Sequence, residues 1–317
     1  MAEEKQYYYS FSEHLKKKYK EKVYKLPVNL PVTCPNRQTG KGCAFCDGAG
    51  TGFEAMDADV PVRKQLLDTK AKIEKKYKAY KFIAYFQNYT NTYLPLQQFE
   101  IYMREAAQVE GIVEISVSTR PDCIGEEYLD VLKRIELEFG ISITIELGLQ
   151  TVNYHTLASM NRGHGLAEFI NAVLTIAPYS FSVGIHMILN LPGDTMEDAM
   201  EGARFLSALP IHIVKLHSLY IPKNSVLYQQ YLDGTITLCE KEEYIERLTE
   251  FIALLRPDIV VERIFSRVPE EYAAFSNWGT SWWKLRDEFF HRMDEKGYVQ
   301  GCKFNYLNGA ALRCWRE

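Results

Sequence analysis

The chain has 317 residues, of which 47% are hydrophobic and 25% charged, and its formal net charge is −4. A chain of this length and apolar content can bury a large core, which indicates a globular, enzyme-sized protein. Residues 1–25 contain no apolar run of signal-peptide length, and no segment approaches the length of a membrane span. Seven cysteines, an odd number, do not fit a disulfide framework. We therefore expect a soluble cytoplasmic protein without a membrane partner.

Positive charge is concentrated in the first quarter of the chain. Residues 1–81 carry 17 Lys and Arg against 10 Asp and Glu, whereas the remainder carries 20 against 31. Most of the excess lies in residues 16–25 and 63–81, where lysines are interleaved with tyrosines that can stack on bases. Such runs beside a functional loop attract phosphate backbones, and a solvated helix face explains them equally well.

After a polar leader, alternating apolar residues predict a first strand within residues 22–33. These residues are Val23, Leu26, Val28, Leu30 and Val32. The strand leads directly into a glycine-rich loop, which is the arrangement expected for a functional segment.

Three of the seven cysteines, Cys34, Cys43 and Cys46, lie in this loop with the spacing C-x8-C-x2-C, and we call them the cysteine triad. Three thiolates can reach one metal centre and leave a coordination position open, whereas a structural zinc site is usually closed by four ligands. The nearest downstream histidine, His155, is distant in sequence. Phe45 can shield the metal, and loop glycines can admit backbone amides to the sulfurs. These glycines are Gly40, Gly42, Gly48, Gly50 and Gly52. The alternatives are three buried structural cysteines or a zinc knuckle.

Beyond the loop, predicted helices and strands alternate. The helices are expected at 58–79, 97–108, 125–138, 153–160, 166–177 and 195–208, the last one opened by Asp194. The strands are expected at 82–87, 112–118, 141–148, 181–189 and 211–219. With the first strand, this alternation predicts parallel βαβ units that close wholly or partly into a barrel with functional residues at the strand carboxyl ends.

The alternation weakens after residue 235. A helix at 240–255, a strand at 259–261 and an aromatic stretch around Trp278, Trp282 and Trp283 predict an extension that caps the barrel. We therefore divide the chain into a basic leader (1–21), a barrel (22–235) and a C-terminal capping extension (236–317).

Polar residues follow or interrupt the predicted strands. Asn91 and Thr92 offer oxygen acceptors after the second strand, unless this segment is an ordinary polar loop with an Asx turn. Pro121 and Asp122 make a good strand-to-helix cap after the third strand. Glu146 within the fourth strand needs a partner, because an isolated buried carboxylate is costly.

The fifth and sixth strands carry histidines and a lysine. His186, alone on an apolar strand, is by default a satisfied core residue. Lys215 and His217 share one face of their strand, because side chains alternate with a period of two. They are either functional or a buried pair stabilised by an acid such as Glu146. The other cysteines show no ligand spacing and are expected to be structural thiols: Cys123, Cys239, Cys302 and Cys314.

Taken together, these segments resemble the radical S-adenosylmethionine (SAM) enzymes, and in particular the YhcC/YtqA-like branch related to the catalytic subunit of Elongator. The resemblance covers roughly residues 20–300. Besides the cysteine triad, with an aromatic residue before its last cysteine, it rests on four motifs: Phe86-Gln-Asn-Tyr-Thr-Asn-Thr-Tyr93, Thr119-Arg-Pro-Asp-Cys123, Glu146-Leu-Gly-Leu-Gln150 and Asn161-Arg-Gly-His164.

The resemblance implies a fold, two cofactors and a set of site residues. The fold is α/β, a partial or full parallel (β/α)6 TIM-like barrel with a C-terminal extension. The cysteine triad would hold a [4Fe-4S] cluster whose fourth iron is chelated by SAM. Arg162 would bind the SAM carboxylate through its forked donors, and Gln150 and His186 would contact the ribose. The remaining implied residues are Asn91, Thr92 and Ser118 around SAM, and Lys215 and His217 on the substrate side.

The implied activity is the reductive cleavage of SAM to a 5′-deoxyadenosyl radical. The basic first quarter and the relationship to tRNA-modifying enzymes favour a tRNA substrate, with maturation of carboxymethylaminomethyl groups on the wobble uridine toward aminomethyl groups. An electron donor such as flavodoxin or ferredoxin would be a partner. The alternatives are radical chemistry on a small metabolite and a zinc-dependent RNA-binding protein without catalysis.

Overall fold

The structure is a computed structural model that describes residues 5–46, 55–269 and 271–315. Gly48, Gly50 and Gly52 of the cysteine loop lie outside the described residues. Within the described ranges, no helix is long and apolar enough to cross a membrane.

The strands of the described residues form two sheets. They are β1 (Val23–Val28), β2 (Lys81–Phe86), β3 (Ile112–Thr119), β4 (Ser142–Gln150), β5 (Ser182–Ile188), β6 (Ile213–His217), β7 (Tyr220–Pro222), β8 (Val260–Arg263) and β9 (Ala273–Ser276). One sheet is parallel, with the order β1-β2-β3-β4-β5-β6-β8, and β7 pairs antiparallel with β9. The predicted TIM-like fold is confirmed in its partial form, a curled half-barrel whose edge strands β1 and β8 are not paired with each other.

Helices connect the strands and cover the sheet. They are α1 (Phe11–Tyr19), α2 (Pro35–Gln38), α3 (Val62–Tyr77), α4 (Leu96–Ala107), α5 (Glu126–Phe139), α6 (Tyr154–Ser159), α7 (Leu166–Ile176), α8 (Met196–Ser207), α9 (Val226–Leu232), α10 (Lys241–Leu254) and α11 (Trp282–Lys296). All six predicted barrel strands and the helices between them are present within a few residues. The sheet gains a seventh strand, β8, from the segment that the sequence assigns to the extension. Helices α1, α2, α9 and α11 were not predicted.

The curled sheet is apolar on its outer face and polar on its inner face. On β4, the buried residues Ile143, Ile145, Leu147 and Leu149 belong to the main hydrophobic core together with the helices that cover the sheet. Among the alternate residues of β4, Thr144 and Glu146 are buried and polar. Because side chains alternate along a strand, this pattern places polar groups inside the half-barrel.

The edge strands of the sheet are linked by an ion pair, and one of them also contacts the segment before α1. The backbone of Val261 on β8 donates to Tyr9, just before α1, over 2.8 Å. Lys25 on β1 reaches Glu262 on β8, with Nζ to Oε1 2.7 Å. The segment predicted as a leader therefore packs against the barrel edge.

Two predicted helix caps are wrong. Helix α8 is capped by Thr195 rather than Asp194, and Thr195 forms a reciprocal capping box with Asp198. Asp122 does not cap α5, whose N-cap is Gly125. It instead accepts two hydrogen bonds, at 2.9 and 2.7 Å, from the Arg120 guanidinium, because an adjacent forked donor competes for the carboxylate.

Candidate cluster and substrate site

The cysteine triad lines one cavity at the carboxyl end of the parallel sheet, which we call the cluster cavity. Cys34 is the N-cap of α2, where Pro35 takes the first helical position and needs no hydrogen-bond donor. Cys43 is buried, and Cys34 and Cys46 are half-buried. The structure thus brings the three predicted ligands to one place.

The turn between α6 and α7 holds the cysteine loop in position. Asn36 donates through Nδ2 to the carbonyls of Asn161 at 2.6 Å and Arg162 at 2.9 Å. Asn161 returns a bond of 2.7 Å to the carbonyl of Gly42. Gly163 has a φ of +69°, and a Cβ there would lie 2.3 Å from Asn36 Oδ1, so only glycine fits. The Asn-Arg-Gly-His motif is therefore part of the cysteine site although it lies more than a hundred residues away.

A different guanidinium approaches each sulfur of the triad. Arg162 Nη1 lies 3.1 Å from the sulfur of Cys43, Arg120 Nη1 lies 3.7 Å from that of Cys34, and Arg37 Nη1 lies 4.0 Å from that of Cys46. Hydrogen-bond donors beside a ligating sulfur orient it and tune the metal that it holds. The surroundings of the triad therefore suit metal ligation.

The donor set fits a cluster better than a single ion. Among the described residues, no three His, Cys, Asp or Glu side chains are placed to hold one metal ion. The cysteine triad is spread around a cavity, and a [4Fe-4S] cluster is bound by thiolates at separate irons. Thr90 also lines this cavity, and its buried hydroxyl has no partner in the described part of the chain. An unpaired buried hydroxyl leaves a hydrogen bond for a polar ligand.

Four of the predicted SAM residues line the cluster cavity. They are Ser118, Gln150, Arg162 and His186. They come from the ends of three neighbouring strands and from the turn before α7, so the sheet topology gathers them beside the triad.

The two other predicted SAM residues have a different environment. Asn91 is buried and donates through Nδ2 to the carbonyls of Phe86, Asn88 and Ser118 at 2.8–3.1 Å. Thr92 bonds the carbonyl of Cys123 at 2.6 Å. Neither side chain lines the cluster cavity. Both residues hold the loop after β2 in shape, whereas Gln87, Tyr89 and Thr90 from the same loop form the cavity wall.

The two terminal nitrogens of Arg162 form hydrogen bonds to protein atoms. One terminal nitrogen contacts Cys43 as described, and the other donates to the carbonyl of Gly148 at 2.6 Å. Its Nε is buried without a partner among the described residues. The side chain therefore connects the triad to β4, rather than presenting an unused fork to the cavity.

A layer of charged and polar side chains lies inside the half-barrel next to the cluster cavity, and we call it the interior network. Its centre is Glu146, whose carboxylate accepts from Lys25, Tyr85 and Ser116 at 2.9 Å each. Lys215 donates to the Tyr85 hydroxyl at 2.7 Å and pairs with Glu262 at 3.2 Å. The network comprises Lys25, Tyr85, Ser116, Glu146, His186, Lys215 and Glu262, so each strand of the parallel sheet contributes one residue.

Electrostatics keep Glu146 ionised and His186 neutral. Burial alone would raise the pKa of Glu146, but the charges of Lys215 and Lys25 outweigh it and hold that pKa well below its usual range. Burial lowers the pKa of His186. Its Nε2 lies 2.6 Å from Glu146 Oε2, so the neutral ring donates to the carboxylate. The expectation that a buried Glu146 needs partners is met by this network.

A second cavity, the side cavity, shares Phe45, Gln87, Gln150 and His186 with the cluster cavity. His217 lies in its wall and stacks on His186, with ring centroids 5.4 Å apart. Of the predicted substrate-side pair, His217 thus faces a cavity, whereas Lys215 is buried in the interior network.

Several site residues were missed in the sequence. Lys25 was assigned to a basic surface run, although its place on an otherwise apolar strand was a signal that it faces inward. Arg120 lies inside a motif that was recognised, but its contact with Cys34 was not expected. The contacts of Arg37 and Tyr85 were likewise not expected, and Glu262 carried no sequence signal of its own.

The other cysteines with described side chains lie outside the cluster cavity. Burial raises the pKa of Cys123 to about 12 and that of Cys239 to about 11, so both are protonated thiols. Cys302 is exposed, and the side chain of Cys314 lies outside the described residues.

A parallel half-barrel with a three-cysteine loop at the carboxyl ends of its strands defines an iron-sulfur enzyme of the radical SAM type. The chain belongs to the radical SAM superfamily, which it matches over residues 28–206, followed by the Radical_SAM C-terminal domain over residues 211–295. The predicted family is thereby confirmed, and with it the class of enzyme. Membership implies a [4Fe-4S] cluster and SAM.

Several relatives match nearly the whole chain. It is 31% identical to uncharacterized protein MJ0486 of Methanocaldococcus jannaschii, over 92% of this chain and 90% of the relative. It is 29% identical to YtqA of Bacillus subtilis, over 95% and 94%. A more distant match, 23% identical over 53% of this chain, is tRNA uridine(34) acetyltransferase of Dehalococcoides mccartyi, of which it covers 36%. Among solved structures, an N-terminally truncated Methanocaldococcus infernus Elp3 has the same fold, with a TM-score of 0.68, 16% identity, and coverage of 88% of this chain and 64% of that one.

Proposed function

We propose that this radical SAM enzyme modifies tRNA, converting the carboxymethylaminomethyl side chain of the wobble uridine toward an aminomethyl side chain. The observation that carries the catalytic part is the convergence of the cysteine triad with Ser118, Gln150 and His186 around one cavity. When bound together, a reduced cluster and SAM supply a 5′-deoxyadenosyl radical that abstracts hydrogen from a substrate, and a flavodoxin or ferredoxin would supply the electron.

The residues of the chain would position and shield these groups. The cysteine triad would hold the cluster, with a guanidinium beside each sulfur. Gln150 and His186 would contact SAM, and Ser118 would lie at the same wall. Phe45 lies in the walls of both cavities, so it would separate the cluster from the substrate side and limit access of water.

Two observations support tRNA as the substrate class. A relative named tRNA uridine(34) acetyltransferase matches half of this chain. Exposed lysines also form a basic face at the ends of α1 and α3, comprising Lys16, Lys17, Lys75 and Lys76. Of the basic runs that the sequence indicates for RNA binding, residues 16–25 and 63–81, these four residues and their exposed neighbours remain as a docking surface for tRNA. Lys25 points into the interior network, and Lys18 pairs with Glu114 at 2.9 Å.

The sequence suggested that the basic face lies beside the cysteine loop. In the structure it lies away from the cluster cavity. Helices α1 and α3 lead into β1 and β2, so the basic face lies at the amino ends of the strands, whereas the cysteine triad follows the carboxyl end of β1. A six-residue strand is roughly 20 Å long. An RNA held there would have to extend along the barrel to place a nucleotide in the site.

Nucleoside mass spectrometry tests the proposed function. Bulk tRNA from a strain lacking the gene would be incubated anaerobically with the reconstituted enzyme, SAM and dithionite, and then digested to nucleosides. We expect carboxymethylaminomethyluridine to decrease and aminomethyluridine to increase, with Cys46→Ala as the inactive control. An unchanged nucleoside profile, with 5′-deoxyadenosine formed on addition of a small metabolite, would replace this proposal by the metabolite alternative.

A further inference from the structure

The side cavity opens beside the proposed SAM site and is lined by cationic but no anionic side chains. Arg263 and Arg267 lie in its wall with the two stacked histidines, and no Asp or Glu lines it within the described part of the chain. It shares a wall with the cluster cavity, so a group bound there would lie next to the reacting centre. A cavity with this lining suits an anionic part of a substrate.

A register shift between β6 and β8 sends Arg263 to this cavity. Val214 pairs with Val261, but Lys215 pairs with Arg263, so β8 has one extra residue at this point. Glu262 turns to Lys25 and Lys215, and the adjacent Arg263 lines the side cavity. Without the shift, Glu262 and Arg263 would point to opposite faces of the sheet, because side chains alternate along a strand.

Arg263 is available to a ligand. It is half-buried, and within the described residues its side chain forms no ion pair with a carboxylate. Arg267, in contrast, packs over the ring of Trp282 with its guanidinium carbon 4.0 Å from the centroid. Arg263 is therefore the better candidate for a forked contact with an anion.

His217 adds a second group at the same wall. Its Nε2 is buried without a hydrogen-bond partner in the described structure. Burial, with the charge of Arg263, lowers the pKa of His217 well below its ordinary value, so the ring is neutral and can donate one hydrogen bond. Among the described residues, a buried ring nitrogen without a partner thus lies beside a guanidinium without a carboxylate partner, which is the arrangement expected before a ligand binds.

We propose that the side cavity binds a carboxylate of the substrate, with Arg263 as the forked donor and His217 as a second donor. The inference rests on the proposed function, because that function supplies a substrate whose side chain ends in a carboxymethyl group. Binding the carboxylate here would place the neighbouring carbon atoms toward the shared wall of the two cavities. Arg263 would then make the enzyme selective for the acidic side chain over an uncharged one.

Binding of matched RNAs tests this proposal without requiring turnover. Two anticodon stem-loops would be compared, one with carboxymethylaminomethyluridine at the wobble position and one with its methyl ester. Their Kd values for the anaerobically reconstituted full chain would be measured by fluorescence anisotropy. A hydrogen-bonded charge pair corresponds to about a 10- to 100-fold difference, so we expect wild type to prefer the acid by that factor.

Three variants make the result specific. Arg263→Gln should bind acid and ester equally, and Arg263→Lys should keep part of the preference because it retains the charge but loses the fork. Arg286→Gln changes a half-buried arginine near Trp282 that does not line the side cavity, and it should behave as wild type. Iron content and thermal unfolding of each variant would establish that the protein is folded and loaded.

The outcomes separate this inference from the proposed function. If wild type binds acid and ester equally, or Arg263→Gln retains the full preference, the inference is wrong even where the nucleoside assay shows conversion. If Arg263→Gln weakens both RNAs equally, Arg263 binds a backbone phosphate, and the inference is also overturned. If wild type prefers the acid through Arg263 but produces no aminomethyluridine, the proposed conversion fails and the carboxylate site stands.

Discussion

Replacing Glu146 by Gln tests the interior network most directly. The side chain is only 4% exposed and accepts hydrogen bonds from Lys25, Tyr85, Ser116 and His186. The substitution keeps the shape but removes the charge, and Lys25 and Lys215 would then share Glu262 alone. Breaking a buried ion pair from one side costs about 3–5 kcal/mol, because the opposite charge is left buried and uncompensated.

This cost converts into a measurable change in Tm. An unfolding entropy of about 2.1 cal/mol/K per residue, over 317 residues, gives a shift of about 1.5 °C per kcal/mol. Glu146→Gln should therefore lower Tm by about 5–8 °C in the apo protein. The double variant Glu146→Gln/Lys215→Met removes one charge of each sign, and it should be more stable than the sum of the single changes predicts, by at least about 1 kcal/mol.

The pH dependence of stability independently tests whether ionised Glu146 stabilises the folded protein. Glu146 has a pKa below its ordinary value of 4.5 in the folded protein, so the unfolded chain binds its proton first as the pH falls. The stabilisation is present above about pH 4.5 and is lost as the pH falls toward the folded pKa. Urea unfolding across this range should show a smaller loss in Glu146→Gln than in wild type. A Tm change below about 1 °C, or equal pH slopes, would refute the network as a source of stability.

Three further predictions concern the cofactor and the RNA. Anaerobic reconstitution should give about four irons and four sulfides per chain. Substituting Ala for any member of the cysteine triad should abolish cluster binding, whereas Cys302→Ala should not. Stoichiometric zinc without sulfide would contradict this prediction. Arg162→Ala should retain iron and make the cluster potential about 20–60 mV more negative through loss of a hydrogen bond to sulfur, and an unchanged potential in a redox titration would remove Arg162 from the site. Neutralising the basic face should reduce the slope of log Kd for tRNA against log salt by up to about 0.9 per lysine. An unchanged slope after neutralising the basic face would show that tRNA docks elsewhere on the protein.

The sequence alone was sufficient for the features that depend on local chain properties. The alternation of apolar segments predicted parallel βαβ units in a full or partial barrel, because the periods of strands and helices are set by residues a few positions apart. The spacing of Cys34, Cys43 and Cys46 within one loop predicted a three-ligand site for the same reason. The ordered motifs identified the family that the comparisons confirm.

The tertiary structure alone decided which distant side chains meet. Lys25 and Glu262 are 237 residues apart and are joined only because the sheet curls until its edges face each other. Arg263 reaches the side cavity through a one-residue register shift, and such a shift reverses the face on which a strand residue lies. The lysines near the cysteine triad in sequence lie at the other end of the strands for a similar reason. Sequence distance does not record strand direction, sheet curl or register, and these decide the contacts of the site.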